Sequence, residues 1–338
     1  MNKITTIGLD LAKNVFHAVC CDSHGKIQHR KMLKRGSVLN YFTNIPPALV
    51  GMEACGSAHY WARELNKQGH EVKLIPPQYV KAFLRGNKND YNDALAITEA
   101  VTRPSMRFVQ IKTVEQQDIQ ALHRMRERSM KVRTALSNHL RGLLAEYGIV
   151  MPLGVPTLRK RLPEVLEDGE NGLSDDFMRL LARGYEQLLA ADDDIAFYTR
   201  ELKRQGQQNE ACQRLQTIPG FGPIVSSAFL GAIGTGEAFK RGRDVSASLG
   251  LVPRQHSSGG KDHLLGISKR GDRYLRGLLV HGARAILYRA SGKDDRLSLW
   301  AERIRQKRGF NKAVVALANK LARIGWAILA NKTVYQAA

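Results

Sequence analysis

Four carboxylates, Asp10, Glu53, Asp90 and Asp93, stand in an order and setting suited to holding two hard cations. Asp10 closes the apolar run Ile4-Thr5-Thr6-Ile7-Gly8-Leu9-Asp10, and Glu53 closes a second, Ala48-Leu49-Val50-Gly51-Met52-Glu53. Asp90 and Asp93 open the helical stretch Asp90-Tyr91-Asn92-Asp93-Ala94-Leu95-Ala96. Residues three apart on a helix share a face. Hard cations such as Mg²⁺ prefer oxygen ligands, and carboxylates crowded without one raise each other's pKa. A pair of such cations clamps the attacking and leaving oxygens of a phosphodiester. The set therefore points to cutting nucleic acid rather than only binding it. Each acid also has a plainer role: Asp90 as a helix N-cap, Asp93 as a favourable first-turn charge. Asp10 and Glu53 fit such roles less well, because an unpaired charge near a core is costly.

The elements that must position these acids are legible in outline. A strand to Asp10, then Val15–Cys20, the polar turn Asp22-Ser23-His24-Gly25 and Ile27–Met32 read as a β-meander. Helical stretches at Ser37–Asn44 and His59–Gln68 bracket the Glu53 strand, and Val72–Ile75 is a further strand closed by Pro76-Pro77. A three-strand meander followed by alternating helix and strand is the ribonuclease-H-like order. This α/β domain spans residues 1–110. Residues 111–210 form a helical, coiled-coil middle, and residues 211–338 a mostly α C-terminal domain.

In the middle region Phe177, Leu181, Gly184, Leu188, Ala191, Ile195, Tyr198 and Leu202 alternate steps of four and three, a heptad seam. The helix Glu115–Tyr147 is one candidate partner, and a second subunit is the other. The Pro- and Gly-containing stretch Gly148–Ser174 reads as a connector.

The C-terminal third opens with Ile218-Pro219-Gly220-Phe221-Gly222-Pro223 before the apolar helix Ile224–Gly231, a pattern like a helix-hairpin-helix motif. There Gly220 and Gly222 allow close backbone approach, and the next helix N-terminus can face a phosphate. A plain turn between core helices fits the same residues. Arg254, Lys261, Lys269, Arg270, Arg273 and Arg276 follow as a dense basic run, suited to phosphates. Within it, Ser257-Ser258-Gly259-Gly260 has the composition of a flexible loop. Either serine becomes a useful nucleophile only if a base or metal activates it.

The bulk numbers agree. Lys and Arg total 52 against 31 acids, a net charge of +21 that favours a polyanionic partner. No stretch reads as long and apolar enough to span a membrane. The nearest, Ala313–Ala330, is interrupted by Asn319, Lys320 and Arg323 and reads as a basic amphipathic helix. The N-terminus enters a strand without a signal-peptide pattern. Cys20, Cys21, Cys55 and Cys212 lack metal-type spacing and read as reduced thiols of a cytoplasmic protein.

Three segments, Gly8-Leu9-Asp10-Leu11-Ala12-Lys13, Met52-Glu53-Ala54-Cys55-Gly56 and Lys88-Asn89-Asp90-Tyr91-Asn92-Asp93-Ala94, resemble the N-terminal domain of DEDD-type insertion-sequence transposases. Ile218-Pro219-Gly220-Phe221-Gly222 and Leu249-Gly250-Leu251-Val252-Pro253-Arg254 resemble the C-terminal domain of the same proteins. These are the bridge-RNA-guided recombinases of insertion-sequence family 110, and the likeness covers nearly the whole chain. It implies a RuvC-like N-terminal fold with Mg²⁺ on Asp10, Glu53, Asp90 and Asp93. It also implies a C-terminal serine that forms a covalent phosphoserine link to DNA. That serine maps onto Ser258, with Ser257 one residue out of register and Tyr274 a competing nucleophile on the next helix. The family further implies a bacterial host and a structured non-coding RNA that pairs with donor and target DNA. Recombination cuts several strands, so the expected assembly is a dimer or tetramer.

Three other readings compete. A junction-resolving endonuclease needs only the acids and leaves the C-terminal third unexplained. An actin-like or sugar-kinase ATPase also begins with a strand ending Gly-x-Asp but needs a second phosphate loop, which is not found after residue 100. A non-catalytic nucleic-acid-binding protein explains the charge but not the acids at strand ends.

Overall fold

The computed structural model describes residues 4–87 and 89–337. Lys88, the first residue of the third acid segment, lies outside the described residues. The chain divides into two compact units, Met1–Val114 and Glu115–Ala338.

The first unit is built on five strands: β1 (Thr6–Asp10), β2 (Val15–Cys21), β3 (Ile27–Lys34), β4 (Leu49–Glu53) and β5 (Glu71–Ile75). Four helices accompany them: α1 (Val38–Thr43), α2 (Ala58–Lys67), the single turn α3 (Pro77–Val80) and α4 (Asp90–Val101). The sheet order is β3-β2-β1-β4-β5, with β1, β2 and β3 antiparallel and β4 and β5 parallel to β1. The turn between β2 and β3 is closed by the Asp22 carboxylate, which accepts from the amides of His24 at 2.9 Å and Lys26 at 3.1 Å.

Strand parity sorts this unit's residues. Ile7 and Leu9 point to the core under α2, with Phe16, Met52 and Trp61. Gly8 and Asp10 therefore point to the opposite face, where α4 lies. The same parity puts Gly51 and Glu53 on the α4 face. Cys20 and Cys21 fall on opposite faces, Cys20 in the α2 core and Cys21 beside Ala94 of α4.

The second unit is helical: α5 (Val114–Glu146), α6 (Val155–Glu167), α7 (Asp175–Gln208), α8 (Glu210–Gln216), α9 (Pro223–Ile233), α10 (Gly242–Ser248), α11 (Arg273–Tyr288), α12 (Arg296–Arg308) and α13 (Phe310–Asn331). It also holds a two-stranded hairpin, β6 (Pro253–Ser258) and β7 (Lys261–Ile267).

Helices α5 and α7 run antiparallel. Arg126 donates to Thr199 at 2.8 Å, Arg133 to Asp192 at 3.0 Å, and the Tyr147 and Phe177 rings meet at 4.1 Å, so numbers rise along one helix as they fall along the other. Leu140 and Leu144 of α5 pack in one cluster with Phe177, Leu181 and Leu188 of α7. Phe177, Leu181, Leu188, Ala191 and Leu202 are buried. Gly184 leaves room for Leu140, whose Cδ2 would lie 2.5 Å from an added β-carbon.

Two expectations are corrected here. The connector Gly148–Ser174 contains α6. Pro156 sits in the first turn, where its missing N–H costs nothing. Pro163 lies inside the helix and leaves the Arg159 carbonyl without its helical donor, and the Tyr185 hydroxyl donates to that carbonyl at 3.3 Å instead. In addition, Phe310–Asn331 is long and apolar enough to cross a membrane by length and composition. Half of its most apolar stretch is buried in the unit, with Leu317, Ala318, Leu321 and Ala322 fully buried, as in the core helix of a globular fold.

Candidate active site and basic surface

Close packing of α4 on the sheet brings the acids together. A β-carbon on Gly8 would collide with the Ala94 carbonyl and Thr98, and one on Gly51 would lie 2.9 Å from Val101 and 3.0 Å from Ile97. Without those side chains the helix settles directly over β1 and β4. Its N-terminus then reaches the strand ends. Asn89 caps the helix, its side chain accepting from the Tyr91 amide at 2.9 Å. The capping role open to Asp90 thus falls to Asn89.

Asp10, Asp90 and Asp93 each present a carboxylate oxygen, and these atoms all lie within 4.8 Å of one another. Leu9 is in register with Met52, so Glu53 ends the strand beside Asp10. Glu53 stands outside that trio of oxygens, yet its charge is felt there. Burial, then the charges of Asp93, Asp90 and Glu53, push the Asp10 carboxyl from 3.8 up to about 6, while His17 opposes them. Burial and then Asp93 also raise Glu53, with Lys81 opposing. All the donors are oxygen and they repel one another, a set that fits a hard divalent cation.

Sequence reasoning missed two members of this site. His17 pairs directly with Asp10 across β1 and β2, and its Nδ1 lies 3.5 Å from Asp90 Oδ2. Its ring packs edge-on against Tyr91 at 4.8 Å. The sequence carried no signal for this pairing: strand ends at Asp10 and Val15 would oppose those two residues, whereas the register opposes Asp10 to His17. Lys81 sits on the short helical turn after α3, where only the fold shows its closeness to Glu53.

The serines lie on an exposed hairpin. Gly259 and Gly260, at φ 56° and 75°, make its two-residue turn. Ser257 pairs with Asp262 and Ser258 with Lys261. The Ser257 hydroxyl donates to Asp262 at 2.5 Å and accepts from Gln255 at 2.8 Å. The hydrogen bond from Ser257, then that from Gln255, holds Asp262 below the usual carboxylate range. The Ser258 hydroxyl has no hydrogen-bond partner among the described residues.

Tyr274 is held differently. Burial raises its pKa, and its hydroxyl meets His123 Nδ1 at 3.0 Å. Ser227 Oγ donates to the Pro223 carbonyl at 2.8 Å and so must accept from His123 Nε2, 3.0 Å away. That fixes the tautomer, and Tyr274 donates to the bare Nδ1. Burial, then Arg126, lowers His123 to about 4, so the ring is neutral. Tyr274 is thus engaged in an interior network.

Of the basic run, Arg254, Lys261, Lys269, Arg270 and Arg273 are exposed. Arg276 is half-buried, and its Nη1 donates to the carbonyls of Leu249 and Arg270, both at 2.9 Å. Gly220 makes a close approach, but to α11: an added β-carbon would lie 2.8 Å from the Gly282 carbonyl. Gly222 is exposed at the N-terminus of α9.

Comparison with known proteins agrees with this layout. Residues 7–149 match the IS110-type DEDD transposase family, and residues 212–298 the IS116/IS110/IS902 transposase family. The chain is 46% identical to the transposase for insertion sequence element IS1111A of Coxiella burnetii, over 99% of this chain and 92% of that one. It is 46% identical to a probable family 20 transposase of Pseudomonas aeruginosa, over 98% of this chain and 99% of the other. With the transposase for insertion sequence element IS1328 of Yersinia enterocolitica the identity is 43%, over 99% of both.

Proposed function

Because the chain belongs to the IS116/IS110/IS902 family of insertion-sequence transposases, and so cuts DNA and transfers its strands, we propose that Asp10, Glu53, Asp90 and Asp93 form its cutting site and that Ser258 makes the covalent link to DNA. The observation that carries the cutting site is the convergence of Asp10, Asp90 and Asp93 oxygens within 4.8 Å. Mg²⁺ held by the four acids would supply charge neutralisation at the phosphodiester. The chain's own part is to hold the carboxylates aligned, with α4 seated by Gly8 and Gly51. The sheet order supports reading this unit as RuvC-like.

In the covalent step the Ser258 Oγ–phosphorus bond forms as the bond from phosphorus to the departing sugar oxygen breaks. The serine gives up its proton and the sugar oxygen takes one up. Two features support Ser258 over its neighbour. Its hydroxyl has no partner among the described residues whereas Ser257 is tied to Asp262, and Lys261 faces Ser258 across the hairpin, where it can meet the phosphate. The same reading includes a structured non-coding RNA that pairs with donor and target DNA, supported by the motif resemblance and the +21 charge. Several cuts are needed and one acid cluster is present per chain among the described residues, which supports a dimer or tetramer.

The test is cleavage of DNA carrying the element's ends, with Mg²⁺. Asp10→Asn and Asp93→Asn should each lose at least about a hundredfold in rate and bind less Mn²⁺ by calorimetry, while remaining folded. Full activity in either variant removes that residue from the site.

A further inference from the structure

The second unit holds a groove of about 1170 Å³ that no step above uses. Leu251 and Ile267 at the base of the serine hairpin, Trp300 of α12, and Val315, Ile324 and Ala327 of α13 form its wall. It exists because α13 is apolar on two sides. Val314, Leu317 and Leu321 are buried in the core, while Val315, Ile324 and Ala327 are half-buried and line the groove. A surface helix ordinarily turns a polar face outward. This one keeps a second apolar stripe open.

The same groove is lined by Lys312, Lys320 and Arg323. None of the three has a carboxylate within ion-pair distance among the described residues. The Lys320 ammonium sits 4.2 Å from the centre of the Trp300 ring. Burial, then Arg323 and Arg303, disfavour its charged form. Uncompensated cations are therefore crowded against an apolar, aromatic wall, and a ligand that fits must be anionic at intervals and flat and apolar between them. Duplex DNA offers phosphates but keeps its bases stacked inside. A fatty acid suits the wall but carries one charge for three cations. Single-stranded nucleic acid meets both demands, because every base has a face that stacks on an aromatic ring and every linkage a phosphate.

We propose that this groove binds unpaired nucleotides of single-stranded nucleic acid, the bases against Trp300 and the α13 wall and the phosphates on Lys312, Lys320 and Arg323. The proposal rests on the chain's action on DNA but not on the acid cluster or on Ser258. Leu264 and Ile267 of the hairpin line the same groove, so an occupied groove braces the hairpin that carries Ser258.

The experiment uses the full chain in EDTA, where a metal-dependent site is silent, with a ten-residue oligothymidylate and a blunt duplex as probes. A stacked base contributes roughly 1–3 kcal/mol, so Trp300→Leu should weaken oligothymidylate binding by about 5- to 150-fold. It should also remove most of the tryptophan quenching that the oligonucleotide causes and leave duplex affinity unchanged. Lys320→Gln should lower the slope of log affinity against log salt for the single strand by about 0.7. Thermal melts establish that each variant is folded, and Lys320→Gln carries the test alone if Trp300→Leu is not. The proposal is overturned if Trp300→Leu binds and is quenched like the parent, if Lys320→Gln keeps the salt slope, or if single-strand and duplex affinity fall together. Quenching by oleate or phosphatidylglycerol vesicles but not by oligothymidylate overturns it as well. Loss of cleavage by the Asp10 and Asp93 variants is read separately, so neither failure can be mistaken for the other.

Discussion

The main-chain carbonyl of Ala94 stands where a β-carbon on Gly8 would have to go. This contact between the middle of β1 and the first turns of α4 sets the spacing of the acid cluster. Two residues on from Gly8, on the same face of the strand, is Asp10. One residue before Ala94 is Asp93, and four before it is Asp90.

Gly8→Ala should therefore act on the site without touching a carboxylate. Overpacking a tight contact costs roughly 1–3 kcal/mol and occasionally more, and the colliding atom here is main chain, which cannot rotate away. The expected result is a lower Tm together with weaker Mn²⁺ binding by calorimetry. Gly36→Ala, at a glycine with no heavy atom within 4 Å of an added β-carbon, is the control and should change neither. Unaltered metal binding in a folded Gly8→Ala protein would separate the helix seat from the site.

Asp10 makes the acid site a source of instability when no cation is present. Its carboxyl is raised from 3.8 to about 6 in the fold. A raised pKa means that its stabilising contribution is full below pH 4 and is lost as pH rises through 6. Asp10→Asn should thus make the metal-free protein more stable at pH 8, by about 1–2 kcal/mol once solvent screening of a half-exposed group is allowed for. The difference should vanish near pH 4. Urea melts in EDTA at the two pH values check this, and an Asn variant less stable at pH 8 would contradict it.

The two halves of this site were unequally visible in the sequence. Asp10 and Glu53 could be placed at strand ends because Ile7, Leu9, Val50 and Met52 mark the buried face. That His17 would face Asp10, or that Gly8 and Gly51 would admit α4, depends on register and on helix–sheet distance, which periodicity does not encode. In the second unit, the seam through Leu181, Leu188 and Leu202 was plain, but its partner was not, because one apolar stripe suits α5 or another subunit equally well. The serine hairpin was read as a loop, since Ser257-Ser258-Gly259-Gly260 has loop composition and its strands have no buried face to produce alternation.

His123 should give the opposite pH response to Asp10. Its pKa is lowered from 6.5 to about 4, so its contribution is full above pH 6.5 and lost as pH falls toward 4. That loss is about 3 kcal/mol. Replacing it with Asn should flatten stability against pH across that window, at the cost of the bonds to Tyr274 and Ser227. An unchanged pH dependence would show that the buried ring protonates freely.

Arg273 and Arg276 share a helix face but should behave differently. Arg273 is exposed, and Arg273→Ala should lower the slope of log affinity against log salt on duplex DNA by about 0.9, one phosphate contact. Arg276 holds the Leu249 and Arg270 carbonyls. Its replacement should lower Tm, because the part-buried Leu249 carbonyl and the Arg270 carbonyl lose their donor. Equal salt slopes for the Arg273 variant and the parent would place that residue off the DNA.

The serine assignment is decided by trapping. Protein incubated with nicked DNA carrying the element's ends should yield a covalent adduct, and mass spectrometry should map it to Ser258. Ser258→Ala should abolish the adduct. Ser257→Ala should retain it with a reduced rate, because the Ser257–Asp262 bond steadies the rung beside the turn. Tyr274→Phe should keep the adduct, since its hydroxyl is committed to His123. Lys261→Ala should slow formation without moving the site of attachment, because Lys261 is in register with Ser258 across the hairpin and its charge can offset that on the attacked phosphate. An adduct on Ser257 would instead make the Ser257–Asp262 pair the nucleophile and its base. An adduct on Tyr274 would require the His123 network to open before chemistry, and cleavage with no adduct in any variant would leave a nuclease that uses water.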